Sequence, residues 1–140
     1  MKDLKINYLA VLVGVVLQFV LGFLWYGPLF GEAWMEMVGL DMDAVMADPV
    51  GAEGWITNVV ASVAGIYLLA WLYVKLGVDS IGKGAGYGLL IGFVFVLLAN
   101  MTTGMFAKDP YGLAWITGGF TTAGLGVGGA VLGAWTKVKA

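Results

Sequence analysis

Four long apolar stretches constrain this chain more than any other feature of its sequence. They cover residues 6–26, 55–76, 84–105 and 114–135. Each is long enough to cross the roughly 30 Å hydrocarbon core of a bilayer as a helix, which takes about 20 residues. The composition agrees, because 61% of the residues are hydrophobic and 11% are charged, whereas about a quarter of a soluble domain is charged. The sequence predicts an all-α integral membrane protein with four transmembrane helices, forming one domain over residues 1–140.

The lysines predict how these helices are oriented, because cytoplasmic loops are enriched in basic residues. Six of the seven lie before the first span, between the second and third, or after the fourth, and only Lys108 lies on the other side. The six are Lys2, Lys5, Lys75, Lys83, Lys137 and Lys139. The loop over residues 31–54 has six acidic residues and no lysine, a composition that an exported loop is permitted to have. We therefore expect both termini in the cytoplasm and a multi-pass protein of the bacterial inner membrane.

The missing residue types exclude much chemistry. The chain has no His, Cys or Arg, so it lacks imidazole bases, thiolate nucleophiles, disulfides and the usual zinc, haem and iron–sulfur ligands. No nucleophile–base pair is visible, and we expect neither an enzyme nor a cofactor or metal. The net charge of −2 and the lack of a basic cluster argue against nucleic acid as a partner.

Glycine is concentrated in the last two spans at four-residue spacing, which lets helix backbones approach closely in a membrane. The residues that we expect to pack helices are Gly84, Gly88, Gly92, Gly124, Gly128, Gly129 and Gly133. Two interpretations remain open: span four packs on span three within one subunit, or the glycines form a seam between subunits. Because span four has small residues on several faces, the pattern favours a homo-oligomer.

Polar side chains inside the spans are few, and Gln18 is the deepest of them. It lies near the middle of span one, on a face shared with Gly14, Gly22 and Tyr26. Together with polar residues in the outer half of the other spans, it predicts an outward-facing vestibule. The vestibule residues are Gln18, Asn58, Ser62, Asn100, Thr103, Thr117 and Thr121. In the alternative interpretation these side chains only hydrogen-bond across helices, at about 0.6 to 2 kcal/mol each.

Two methionines of span three are also paired. Met101 and Met105 share one helical face, and soft thioethers suit Cu(I). Packing by adaptable methionine side chains is the alternative interpretation.

A proline marks the end of the first span. Pro28 has no backbone N–H and disfavours helix in the residue before it. Beyond it, Phe30 and Trp34 recur at helical spacing, which predicts a short helix in the membrane interface.

This segment, residues 25–34, also carries a resemblance. Its characteristic residues are Trp25, Tyr26, Pro28, Phe30, Gly31 and Trp34. It resembles the signature of a family of small bacterial and fungal membrane proteins that is known only as a domain of unknown function. The resemblance covers essentially the whole chain and implies a four-span fold, but it implies no activity.

Two classes of function follow from these features. The first is a non-enzymatic ligand-binding or transport-type module that takes a lipid or another small amphiphile in its vestibule. The second is a structural or accessory subunit that docks a partner membrane protein. Handling of Cu(I) by the outer methionines is a further alternative.

Overall fold

The computed structural model of the chain describes residues 4–138. Within that range it is all-α apart from a pair of two-residue strands near the termini. Four helices are long and apolar enough to cross a membrane: Tyr8–Leu29, Ala52–Leu76, Ile81–Ala107 and Tyr111–Ala134. The predicted fold class, all-α with four such helices, is confirmed.

Helix α1 is Tyr8–Leu24, and a π-helical turn, Trp25–Leu29, continues it. The later helices are α2 (Gly31–Val38), α3 (Met42–Ala47), α4 (Ala52–Leu76), α5 (Ile81–Gly92), a second π-helical turn (Phe93–Leu97), α6 (Leu98–Ala107) and α7 (Tyr111–Ala134). Strands β1 (Leu4–Lys5) and β2 (Lys137–Val138) pair antiparallel. We call the end of the bundle with the strands the terminal end, and the end with α2 and α3 the loop end. The short helix predicted after Pro28 is α2.

The lysines divide between these two ends. Lys5, Lys75, Lys83 and Lys137 lie at the terminal end, and Lys108 lies at the loop end. The other two lysines of the predicted cytoplasmic set, Lys2 and Lys139, lie outside the described residues.

Three of the long helices begin before the apolar residues that predict them, and at one of them, α5, a side-chain cap marks the start. Helices α4, α5 and α7 each begin three residues before the predicted starts at 55, 84 and 114. At α5 the Ser80 side chain accepts a hydrogen bond from the backbone N–H of Lys83, which otherwise has no partner in the first turn. A helix in this chain therefore extends beyond the apolar residues that reveal it in the sequence.

Helix α7 lies at the centre of the bundle and contacts α1, α2, α4, α5 and α6. Its contact with α5 is backbone against backbone. A Cβ atom on Gly88 would lie 2.6 Å from the carbonyl carbon of Leu125, and one on Gly92 would lie 2.5 Å from the Cα of Thr122. These distances leave no room for a side chain, and the same holds at Gly84. The four-residue glycine spacing thus serves contact between spans three and four of one chain.

The other glycine faces of α7 are also occupied within the chain. Gly124 lies against the side-chain amide of Gln18 in α1, and Gly128 lies against Ile66 in α4. All seven glycines predicted to pack helices are buried: Gly84, Gly88, Gly92, Gly124, Gly128, Gly129 and Gly133. The small residues on several faces of α7 therefore give no support to a homo-oligomer, because α7 packs against helices of its own chain on those faces. Oligomerisation itself stays a prediction.

The two halves of α4 differ in packing. Toward the terminal end, Ile66 and Tyr73 are buried, and the Tyr73 hydroxyl donates to the Gly84 carbonyl at 2.5 Å. Toward the loop end, only Ser62 among residues 55–65 is even partly buried. We call residues 55–65 the open half of α4. Because this half stands clear of its neighbours, a space forms beside it.

Candidate functional site

A cavity of about 670 Å³ lies between α1, the open half of α4 and α7. Cavities that bind small molecules usually measure about 300–1,000 Å³, so its size suits such a ligand. Two of its lining side chains, Phe23 and Trp55, are 86% and 57% exposed. The cavity therefore opens on the side of the bundle, between α1 and α4.

Three of the predicted vestibule residues line this cavity: Gln18, Asn58 and Ser62. The amide of Gln18 makes no hydrogen bond with any residue that the structure describes. A Cβ atom on Gly124 would lie 2.5 Å from the Gln18 Oε1, so the glycine leaves space for the amide. Among the described residues no fully buried side-chain N or O atom lacks a partner, so the unpaired amide is accessible from the cavity. Its donor and acceptor are thus open to a bound molecule.

Aromatic side chains form much of the remaining wall: Phe19, Phe23, Tyr26, Trp55 and Phe120. The rings of Tyr26 and Phe120 meet edge to face, with centroids 5.4 Å apart and planes at 63°. Aromatic pairs prefer this geometry. The contact ties the end of α1 to α7 and fixes one side of the cavity.

The segment that resembles the family signature holds this wall in position. Gly27 has φ −105° and ψ −105°, outside the helical range, so α1 ends in a kink. Beside the kink, the indole N–H of Trp25 donates to the Ile116 carbonyl of α7 at 2.8 Å. Tyr26 packs edge to face on Trp34 of α2, with ring centroids 5.5 Å apart.

Two further residues of this segment close the turn between α1 and α2. The rings of Trp25 and Phe30 are 4.7 Å apart. Gly31 is buried, and a Cβ atom there would lie 2.9 Å from the carbonyl carbon of Tyr26. The segment therefore acts in this structure as an aromatic cap that joins α1, α2 and α7.

The remaining predicted vestibule residues lie elsewhere. Asn100, Thr103 and Thr117 line a separate cleft of about 280 Å³ between α6 and the start of α7. The Asn100 side chain donates to Thr117 Oγ1 at 3.5 Å. Thr121 lines neither the cavity nor the cleft. Where the sequence predicts one vestibule, the structure has two spaces, because α7 lies between α1 and α6.

The paired methionines belong to the cleft. Met101 and Met105 line it together with Asp109, whose carboxylate folds back over Gly104. Among residues 4–138 no group of three or more His, Cys, Asp or Glu side chains is placed to hold a metal ion. Cu(I) binding by the two thioethers stays a prediction.

Most of the aromatic wall was not predicted from the sequence, although the sequence contains a signal for one part of the wall. Phe120 precedes Gly124 by four residues and so lies on the face of α7 that meets α1. On α1 the same spacing joins Gln18, Gly22 and Tyr26, and all three line the cavity. Two matching four-residue series on helices that pack together would have pointed to this wall.

Comparison with known proteins places the whole bundle in one family. Residues 9–133 match the model of a family described as "Protein of unknown function (DUF1761)". The chain belongs to this family. This match confirms the family that the sequence resembles. The matched residues run from α1 into α7 and include every residue that lines the cavity. No curated protein and no solved structure matches the chain.

Proposed function

We propose that this protein binds a small amphiphilic molecule in the cavity between α1, α4 and α7, as a non-enzymatic ligand-binding or transport-type module. One observation carries the proposal: the Gln18 amide borders the cavity and has no hydrogen-bond partner among the described residues. In an apolar medium such an unpaired amide costs about 2–7 kcal/mol. A bound molecule with a polar group removes that cost.

In this proposal the loop end faces outwards from a bacterial inner membrane, and the cavity lies in the outer half of the bilayer. Support comes from the described lysines, four of which belong to the terminal end and one to the loop end. The loop over residues 31–54 has no lysine, which also favours export of the loop end.

The polar groups of the cavity favour binding over catalysis. Gln18 and Asn58 carry amides and Ser62 carries a hydroxyl. Amides and hydroxyls donate and accept hydrogen bonds, but they do not change protonation near neutral pH. Such groups recognise a ligand without needing to react with it.

Filling the cavity tests the proposal. Ser62→Phe adds a ring inside the cavity, and Ala64→Phe adds the same ring on an exposed face of the same helix as a control. Native mass spectrometry of protein extracted from its own membrane should find a bound amphiphile on the wild type and on Ala64→Phe, and none on Ser62→Phe. Gln18→Leu should carry less of the ligand than the wild type, because one hydrogen bond to it is lost, while its free energy of unfolding stays equal or rises, because the change removes an unpaired polar group.

Two results would contradict the proposal: a wild-type protein without a bound amphiphile, or a bound mass that Ser62→Phe and Gln18→Leu both retain at the wild-type level. If Ser62→Phe does not fold, Gln18→Leu gives the decision alone. Purification of an empty chain in a stable complex with another membrane protein would support the accessory-subunit alternative instead.

A further inference from the structure

The cavity also carries information about the chemical class of its ligand. None of its lining residues has a formal charge. An ion in an apolar site without a partner costs several kcal/mol or more, so a charged head group would be strongly disfavoured there. The lining therefore favours a neutral head.

The depth of Gln18 below the loop end of α1 is a second restriction on the head group of the ligand. Gln18 precedes Trp25, the first residue of the π-helical turn that follows α1, by seven residues, which at 1.5 Å per residue puts it about 10 Å inside the loop end of α1. A phospholipid whose head group reached the Gln18 amide would have to leave the hydrated interface. A small uncharged head loses far less hydration on reaching that depth.

The hydrogen-bonding groups and the rings select the shape of the head. The amides of Gln18 and Asn58 and the hydroxyl of Ser62 offer donors to carbonyl oxygens. Five aromatic side chains surround the same space, and aromatic rings favour edge or offset contact with another flat ring. A flat ring that carries carbonyl or hydroxyl oxygens satisfies both sets of groups.

The opening indicates the route of entry. Phe23 and Trp55 flank the cavity and are mainly exposed, and the open half of α4 has no helix over it among the described residues. For a bundle that spans a bilayer, this side faces lipid. A ligand with an apolar tail can therefore enter sideways and leave its tail among the lipid chains.

We infer that the cavity is a site for a quinone-type lipid, an uncharged oxygen-bearing ring with an apolar tail, which enters between α1 and the open half of α4. This inference rests on the proposed function and restricts its ligand. The ring lies among the aromatic side chains, and its oxygens accept hydrogen bonds from Gln18 and Asn58. No redox step is part of the inference.

Three probes that share a decyl tail test it: decylubiquinone, decyltrimethylammonium and decyl phosphate. Binding to the purified protein in an uncharged detergent is measured by native mass spectrometry. We expect a one-to-one adduct with decylubiquinone and at least tenfold weaker binding of both charged probes. Gln18→Leu should weaken decylubiquinone binding roughly three- to tenfold, the loss expected for one hydrogen bond. Ser62→Phe should abolish that binding, and Ala64→Phe should leave it unchanged.

The outcomes separate this inference from the proposed function. Binding of a charged probe as tight as that of decylubiquinone, or a native ligand with a charged head, overturns the quinone inference and leaves the ligand-binding proposal standing. Absence of any native ligand together with absence of probe binding overturns both. A wild-type dimer that Ser62→Phe converts to a monomer also overturns both, because a second copy then fills the cavity.

Discussion

The contact between α5 and α7 makes a sharp prediction for Gly88→Ala. The added Cβ would lie 2.6 Å from the carbonyl carbon of Leu125 and 3.1 Å from the backbone N of Gly126. Ordinary contact between carbon atoms needs about 3.5–4.0 Å, so the two helices must separate by about 1 Å. A gap of that size removes a quarter to a half of the dispersion energy of each contact that it opens. We expect Gly88→Ala to lower the free energy of unfolding by about 1–3 kcal/mol.

Gly86→Ala is the matched control. Gly86 is exposed on the same helix, and apart from the adjacent backbone of that helix and the two neighbouring residues no atom lies within 4 Å of the position that its Cβ would take. There the change should be neutral or raise the free energy of unfolding by up to about 1 kcal/mol through helix propensity. Titration with SDS, followed by circular dichroism in mixed micelles, measures both variants. Equal stability of Gly88→Ala and Gly86→Ala would refute the close contact of α5 and α7.

Two further predictions concern the aromatic cap and the orientation. Trp25→Phe removes the 2.8 Å hydrogen bond to the Ile116 carbonyl. This change should lower the free energy of unfolding by about 0.5–1.5 kcal/mol in the same titration. Trp34→Phe breaks no such bond, and an equal loss of stability in that variant would show that the bond has no net effect. In this cysteine-free chain, a membrane-impermeant maleimide should label Asp43→Cys and not Lys83→Cys in intact cells, and labelling of Lys83→Cys alone would reverse the proposed orientation.

The part of the candidate site on α1 could largely be predicted from the sequence, but little of the parts on α4 and α7 could be. Gln18, Gly22 and Tyr26 recur every four residues, so one helix periodicity puts them on one face, and the structure has all three in the cavity wall. The grouping of Gln18 with Asn100 could not be tested in this way. It depends on which helices are neighbours, and a periodicity within one helix contains no information about its partner.

The number of apolar helices follows from the sequence alone, because a segment of about 20 apolar residues is hydrophobic whatever surrounds it. The sequence also predicts that backbones meet at the glycines of spans three and four, since a missing side chain permits close approach in any arrangement. The central position of α7, in contrast, follows only from how all the helices pack together. Because α7 is central, its glycine faces contact helices of the same chain, and Asn100 lies on the other side of α7 from Gln18. The open half of α4 is then left beside a cavity. The reason is physical: several packings bury similar areas of apolar helix, and the choice among them depends on the fit of all the side chains at once.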